Sequence, residues 1–530
     1  MKNKFRLLVF LSFVSVEFTN AQIANVPLED VQKYAATITS QELRSHLTIL
    51  ASDEFEGRET GKKGQKLAAE YIAKIFQAHS IEEQKEGGYF QKFSVMESKI
   101  GKMELKINNT SYAFAKDYYL VQDFNSQKLS NNKILFAGFG ISDTNYNDLE
   151  KLEVKDKVLM IMRGEPKNKK GIFRISGTSQ ASENYVRDSY KIEKLTALKP
   201  KILLIVDPKI DSNVKRYKRY FSEPSMKLEK DLETPSMTVV YISTKMAAEL
   251  LSLSNKKFNS MVAKMNENGK PQTKSTTNTI TYNFTKNRQN IETENVLGFI
   301  EGTKFPEEIL VISAHYDHLG IIDGKVYNGA DDDGTGTSAI LEISEAFAKA
   351  KTDGKGPKRS ILFLAVSGEE KGLLGSDYYT TNPVYPLENT IADLNIDMIG
   401  RVDEPHSTDA GQNYIYLIGS DKLSSELHSI SEMSNKKYGK MDLDYTFNDP
   451  SDPNQFYYRS DHYNFAKNNI PVIFYFNGVH EDYHKETDEI SKINFDLLNK
   501  RTQLVFYTAW ELVNRGSRIR VDLVNDFNEK

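Results

Sequence analysis

Apolar positions fall into three textures along the chain. Leu43, Leu47 and Leu50, and then Ala68, Tyr71, Ile72 and Ile75, recur at helical spacing on either side of "SDEFEGRETG" (52–61). That period predicts two amphipathic helices. From about residue 100 to about residue 285 the apolar runs are short: "KILFAGFG" (133–140), "KVLMIMRG" (157–164), "KILLIVD" (201–207) and "SMTVVYIS" (236–243), set between Lys- and Asn-rich loops. This stretch ends in a polar segment, residues 266–279, and an alternating strand through Ile280, Tyr282 and Phe284. It reads as a mostly β domain. Beyond about residue 290 the runs are continuous rather than alternating: "ILVISAH" (309–315), "SILFLAVSGEE" (360–370), "IADLNIDMIG" (391–400), "YIYLIGS" (414–420) and "IPVIFYFNG" (470–478). Continuous runs suit strands buried on both faces. Ile340, Ile343, Phe347 and Ala350 form a helical core face between the first two. Strands alternating with helices predict an α/β domain with a mixed, largely parallel sheet flanked by helices.

At 530 residues the chain exceeds one ordinary domain, since single cores stop growing at roughly 250–300 residues. The expected organisation is a host domain in two pieces, residues 22–100 and 286–530, interrupted by an inserted domain at 101–285. Residues 1–21 read as a signal peptide. Lys2, Lys4 and Arg6 precede the apolar run from Leu7 to Val16, and Thr19, Asn20 and Ala21 provide a small-residue cleavage site. The expectation is export to the periplasm or the extracellular space. The run is about half the ~20 residues of a spanning helix, and no later segment would span a membrane in the mature chain. A net charge of −4 with no basic block excludes an obvious nucleic-acid footprint. The absence of cysteine excludes disulfides and thiolate chemistry, so any metal must be held by His and carboxylate.

Those residue types gather at the strand ends. His315 closes one run, Glu369 and Glu370 follow the next, Asp397 follows the third, and His484 lies shortly after the last. In open α/β sheets the ligand crevice lies beyond the carboxyl ends of the strands, so four strands would deliver these side chains to one rim. "NGADDDGTGT" (328–337) adds three consecutive aspartates. Crowded carboxylates repel unless a cation opposes them, and a pair of divalent ions ~3.5–4 Å apart can share one carboxylate. On composition, Asp331 and Asp332 both qualify as that bridge.

"HYDHLG", "NGADDDGTGT", "SGEEKGLLGS", "NIDMIGR" and "HEDYHKETD" together resemble, in order, the metal-site blocks of the co-catalytic di-zinc aminopeptidases, relatives of bacterial leucyl aminopeptidase and of glutamate carboxypeptidase. "SDEFEGRETG" is similar to the family's N-terminal segment, and the insertion is similar in placement to a protease-associated domain. The resemblance implies two zinc ions. One would be held by His315 and Asp397, the other by Glu370 and His484, and Asp332 would bridge them, with a cis peptide bond between Asp332 and Asp333. It implies Glu369 as general base and the Asp317 carboxylate as the group that fixes the His315 tautomer. Tyr483 resembles the family tyrosine that steadies the oxyanion, though an aromatic there could equally be packing.

His318 and His462 read as hydrogen-bonded neighbours of the site. Asp461 is a candidate either for the pocket wall or for the groups that support the ligands, and Arg401 either meets a substrate carboxylate or balances the acidic rim. His46, His79, His406, His428 and His480 receive no role. The implied activity is removal of N-terminal residues from peptides with a free N-terminus. Alternatives on the same fold are a carboxypeptidase, a glutaminyl cyclase-like acyltransferase with one zinc, and a non-catalytic binding ectodomain.

Overall fold

The computed structural model describes residues 28–121, 124–232, 237–408 and 411–524. The expected signal peptide lies outside them. The chain divides into two compact units, one formed by the segments ending at Phe93 and beginning at Glu292, the other by Ser94–Ile291. The long strands Phe90–Ile107 and Ile280–Ile300 run across both junctions. A strand's alternating period carries no mark of a change of partner, and the texture of the sequence changes at about residues 100 and 285, within these two strands.

The first unit is built on a mixed sheet whose strand order is Asp442–Asp444, Tyr414–Ile418, Val472–Phe476, Thr390–Ile396, Phe305–His315, Arg359–Val366 and the end of Ile280–Ile300. The strands from Val472–Phe476 to Arg359–Val366 are mutually parallel. The Val296–Ile300 segment pairs antiparallel with Ile361–Ala365. Both faces are buried. Ile361, Phe363 and Ala365 enter one apolar cluster with the helices Ser40–Leu50, Gly336–Thr352 and Phe495–Asn514, while Leu362, Leu364 and Val366 enter another with Tyr379 and Phe465. The continuous apolar runs follow from this, because successive side chains point to opposite faces.

The second unit holds a six-stranded sheet in the order Thr273–Thr276, Ile134–Ala137, Val158–Met162, Ile202–Val206, Val239–Ile242, Tyr118–Tyr119. The middle four strands are parallel. Parallel neighbours need crossover connections, and helices Asp188–Thr196 and Ile210–Arg216 lie in two of them. To the expected mostly β texture the structure therefore adds helices, including Thr244–Leu250 and Asn255–Asn268. Their Lys- and Asn-rich outer faces masked a helical period in the sequence. No helix among the described residues is long and apolar enough to cross a membrane.

Candidate metal centre

The carboxyl ends of the four parallel strands supply the site. His315 is the last residue of Phe305–His315, Glu369 and Glu370 follow Arg359–Val366 across the Ser367–Gly368 turn, Asp397 directly follows Thr390–Ile396, and His484 lies in the loop after Val472–Phe476. Asp332 arrives from the turn leading into helix Gly336–Thr352, and its peptide bond to Asp333 is cis.

Asp332 stands between the two histidines. Its Oδ1 lies 3.3 Å from His315 Nε2 and its Oδ2 lies 3.1 Å from His484 Nε2. Asp397 Oδ1 is 3.6 Å from His315 Nε2, and Glu370 Oε1 is 3.2 Å from His484 Nε2. His315, Asp332 and Asp397 thus offer three donor atoms close enough for one ion, and His318, Asp332 and Glu370 form a second such group, with His484 Nε2 close to the last two. His315 Nε2, Asp332 Oδ2 and Glu370 Oε1 are buried without hydrogen-bond partners. Buried polar atoms are ordinarily satisfied, so orphaned nitrogen and oxygen atoms converging at these distances suit a shared cation. Nitrogen and carboxylate oxygen are donors that zinc accepts.

The electrostatics point the same way. Burial works against charge on Asp332, yet contacts with His315, His318 and His484 hold its carboxyl well below the usual range. Burial also works against a charged His484, yet the Asp332 and Glu370 carboxylates raise it to about 10. Glu370 falls to about 2, because its imidazole neighbours His318 and His484 outweigh burial and the repulsion from Asp332. The carboxylates therefore draw protons onto His315 and His484, a positive charge that a metal ion would replace.

Asp331, the other candidate for the bridge, is turned away. Its Oδ1 accepts the Gly400 amide at 2.7 Å and the Thr335 hydroxyl at 3.1 Å, and its Oδ2 faces His480 Nε2 at 3.2 Å. Asp333 accepts the Gly336 amide at the start of the helix, at 2.8 Å. Each of the three aspartates has its own task, which composition could not separate.

One expectation is corrected. His315 Nδ1 meets the main-chain carbonyl of Asp317 at 3.0 Å, while the Asp317 carboxylate is 3.9 Å away. That carboxylate instead accepts the Thr60 hydroxyl at 2.7 Å and the Glu369 amide at 3.2 Å. The tight turn after His315 brings the carbonyl closer to the ring than the side chain can come. A carbonyl can only accept, so Nδ1 is the donor here and Nε2 is the nitrogen that would face an ion.

Three supports escaped the reading of the sequence. Ser460 donates to Asp397 Oδ2 at 2.7 Å, which leaves Oδ1 for the site. Asp488 accepts the main-chain amides of Asp331 and Asp332. Arg58 is fully buried and donates to the carbonyls of Leu50, Tyr316, Asn328 and Gly329 at 2.6–2.9 Å. The signal for Arg58 was present in "SDEFEGRETG", where an arginine follows a glycine between two helices, but nothing local showed that it would be buried.

Asp332, Glu369 and Asp397 open into a pocket walled by Met398, Phe456, Phe474, Phe476, Val479 and Tyr483, with Arg459 at its edge. The Tyr483 ring stacks on His484 with centroids 3.9 Å apart, and its hydroxyl accepts from Arg459 at 3.4 Å. Burial, reinforced by Asp332 and Glu370, raises the phenol, which stays protonated. Arg401 pairs with Asp482 at 3.1 Å and Glu481 at 3.6 Å, so it balances the acidic loop. Asp461 is buried and accepts from Ser376 at 2.5 Å, away from the pocket wall. His462 is buried against Phe474, with centroids 4.7 Å apart. His318 lies inside the donor cluster.

The carboxyl edge of the sheet thus presents two donor groups that share Asp332. Residues 295–509 match the model of peptidase family M28. A probable zinc metalloprotease of Leptosphaeria maculans is 32% identical over 114 residues, 21% of this chain and 25% of that protein. Aminopeptidase YwaD of Bacillus subtilis is 27% identical over 233 residues, 43% of this chain and 47% of that protein. The chain thus spans from a quarter to about half of the length of these relatives. The solved aminopeptidase from Aneurinibacillus sp. strain AM-1 matches with a TM-score of 0.55 and 15% identity over 93% of this chain and 97% of that one, a likeness of fold.

Proposed function

We propose that this chain is an exported, zinc-dependent aminopeptidase that hydrolyses the N-terminal peptide bond of peptides. The observation that carries the reading is the pair of donor groups sharing Asp332 at the floor of a pocket that Glu369 also lines. His315 and Asp397 would hold one ion, Glu370 and His484 the other, and Asp332 both. When bound, zinc supplies Lewis acidity, polarising a carbonyl and bringing the pKa of water to about 7.

The remaining work falls to the chain's own residues. The Glu369 side chain is 13% exposed and lies 4.0 Å from His315 Nε2. Burial, together with the Glu370 and Asp397 charges, raises it well above the ordinary carboxyl range despite His315. A carboxylate so raised accepts a proton from the attacking water at its oxygen and returns it to the leaving amine. The protonated Tyr483 hydroxyl is a donor at the pocket wall, suited to a developing oxyanion. A substrate's free ammonium is favoured by the acidic floor, and its first side chain by the Phe456, Phe474, Phe476 and Val479 walls. Residues 94–291 contain none of these groups.

The test is a panel of aminoacyl-4-nitroanilides, free and N-acetylated, assayed with and without chelator and after zinc is restored, with carboxypeptidase substrates alongside. Turnover of free-amine substrates that chelation abolishes and zinc restores is expected. Undiminished turnover of the acetylated series, or none on any free-amine substrate, counts against the reading.

A further inference from the structure

Basic side chains around the site are spent on carboxylates. Arg401 meets Asp482 and Glu481, Lys492 meets Asp482, and Lys371 meets Glu59 at 3.2 Å. Arg459 differs from them. It stands exposed at the edge of the pocket and forms no ion pair among the described residues. Its guanidinium lies over the Phe456 ring, 4.7 Å from the centroid, and one nitrogen donates to the Tyr483 hydroxyl at 3.4 Å. A guanidinium carries five N–H donors in a planar fork, so most of them remain for a ligand.

The position of this fork relates it to the reacting bond. Tyr483 stacks on His484, whose Nε2 is 3.1 Å from Asp332, and its hydroxyl is the donor suited to the developing oxyanion. A group that meets Arg459 beside that hydroxyl lies only a few bonds from the scissile carbonyl. The pocket is anionic at its floor, where Asp332, Glu369 and Asp397 stand, and cationic at this rim. A dipeptide with both ends free carries its charges in the same order, an ammonium before the scissile carbonyl and a carboxylate just after it. In a longer peptide a neutral amide takes the place of that carboxylate, and an acidic side chain there sits at least one bond further out. Arg401 is already engaged by Asp482 and does not compete for the carboxylate.

We infer that Arg459 is a specificity-determining residue that receives the C-terminal carboxylate of the residue on the leaving side, and that dipeptides are the preferred substrates of this site. The inference rests on the aminopeptidase reading above and narrows its substrate class. An arginine fork matches a carboxylate with two parallel hydrogen bonds, and the face of Phe456 holds the guanidinium flat. The contact is made in the bound substrate as well as in the transition state, so it lowers KM more than it raises kcat.

The test compares kcat/KM for leucyl-alanine and leucyl-alaninamide, which differ only in the carboxylate, on the zinc-loaded wild type, Arg459→Gln and Arg459→Lys. Leucyl-4-nitroanilide serves as a substrate without a carboxylate, and leucyl-aspartyl amide as one with the charge on a side chain. The wild type should prefer the free acid by about 10–100-fold, the worth of hydrogen bonds to a charged group, mostly through KM. Arg459→Gln should bring the ratio close to unity, and Arg459→Lys should keep only part of it, because an ammonium lacks the fork. Equal rates on acid and amide in the wild type overturn the inference without any variant, and so does a preference that survives in Arg459→Gln. If Arg459→Gln misfolds, an undiminished preference in Arg459→Lys overturns it. A wild type that favours the aspartyl amide over the free acid assigns Arg459 to side chains and overturns it as well. Turnover of the nitroanilide in any of these cases leaves the aminopeptidase reading standing. A wild type that cleaves none of the four substrates removes the reading and the inference together.

Discussion

Asp488 reaches beneath the bridging carboxylate and accepts the main-chain amide of Asp332 at 3.2 Å, together with that of Asp331 at 3.0 Å. The residue that places Asp332 thus lies 156 positions away in the chain, in the loop that also carries His484. Asp488→Ala should leave two buried amides without an acceptor, at about 1–3 kcal/mol each, and weaken zinc binding by about 10–100-fold. Denaturant midpoints and zinc titration measure the two effects. Unchanged zinc affinity would show that the amides of the aspartate turn do not position the site.

Glu369→Gln keeps the shape of the side chain but cannot accept a proton. Turnover should fall by about 10²–10⁴-fold while the zinc content, measured by elemental analysis, stays at the wild-type level. Loss of zinc along with the activity would mean that the roles of Glu369 and Glu370 are reversed.

Arg58 holds four carbonyls from three segments, with Asn328 and Gly329 in the run before the aspartates and Tyr316 between His315 and Asp317. Arg58→Met should destabilise the protein by at least about 3 kcal/mol, because several buried carbonyls lose their donor. Arg58→Lys should recover little, since an ammonium cannot reproduce the planar fork. Urea unfolding of the three proteins checks both statements, and full rescue by lysine would contradict the account.

Burial holds the His462 imidazole down at about 3, against an ordinary value of 6.5. Above pH 6.5 the ring is neutral in both folded and unfolded chains and contributes no pH dependence. As the pH falls below 6.5 the unfolded chain takes up a proton that the folded chain refuses, so stability drops by up to about 1.4 kcal/mol per pH unit until about pH 3. His462→Phe removes this group, and its plot of unfolding free energy against pH should be flatter across that window. Identical slopes would place the acid sensitivity elsewhere.

The chain leaves and re-enters the first unit at neighbouring positions, where Asn295 donates to Gln91 at 2.9 Å and the Leu297 amide to the Tyr89 carbonyl at 2.7 Å. Domain insertions are tolerated where the flanking ends lie close together. Replacing residues 94–291 by a short flexible linker should therefore preserve zinc uptake and some turnover of aminoacyl-nitroanilides. A folded deletion variant that binds zinc but turns over none of them would show that the insertion supplies part of the active site.

The sequence by itself determined the α/β character of the first unit and the chemistry available to it. Runs such as "ILVISAH" and "SILFLAV" are apolar at every position, which only burial on both faces allows, and the lack of cysteine left His and carboxylate as the donors. The ordering of donors after strands was also legible, because the end of an apolar run and a polar residue are both local features. Composition left Asp331 and Asp332 equal and only the resemblance singled out Asp332; the tertiary structure turns Asp332 to the histidines, and it alone decided that a carbonyl rather than a carboxylate orients His315 and that His318 enters the donor cluster. It also decided that Arg58 and Asp488 hold the turn from opposite ends of the chain. Each of these depends on the direction of a side chain relative to groups up to hundreds of residues away, and a direction in space leaves no period in the sequence.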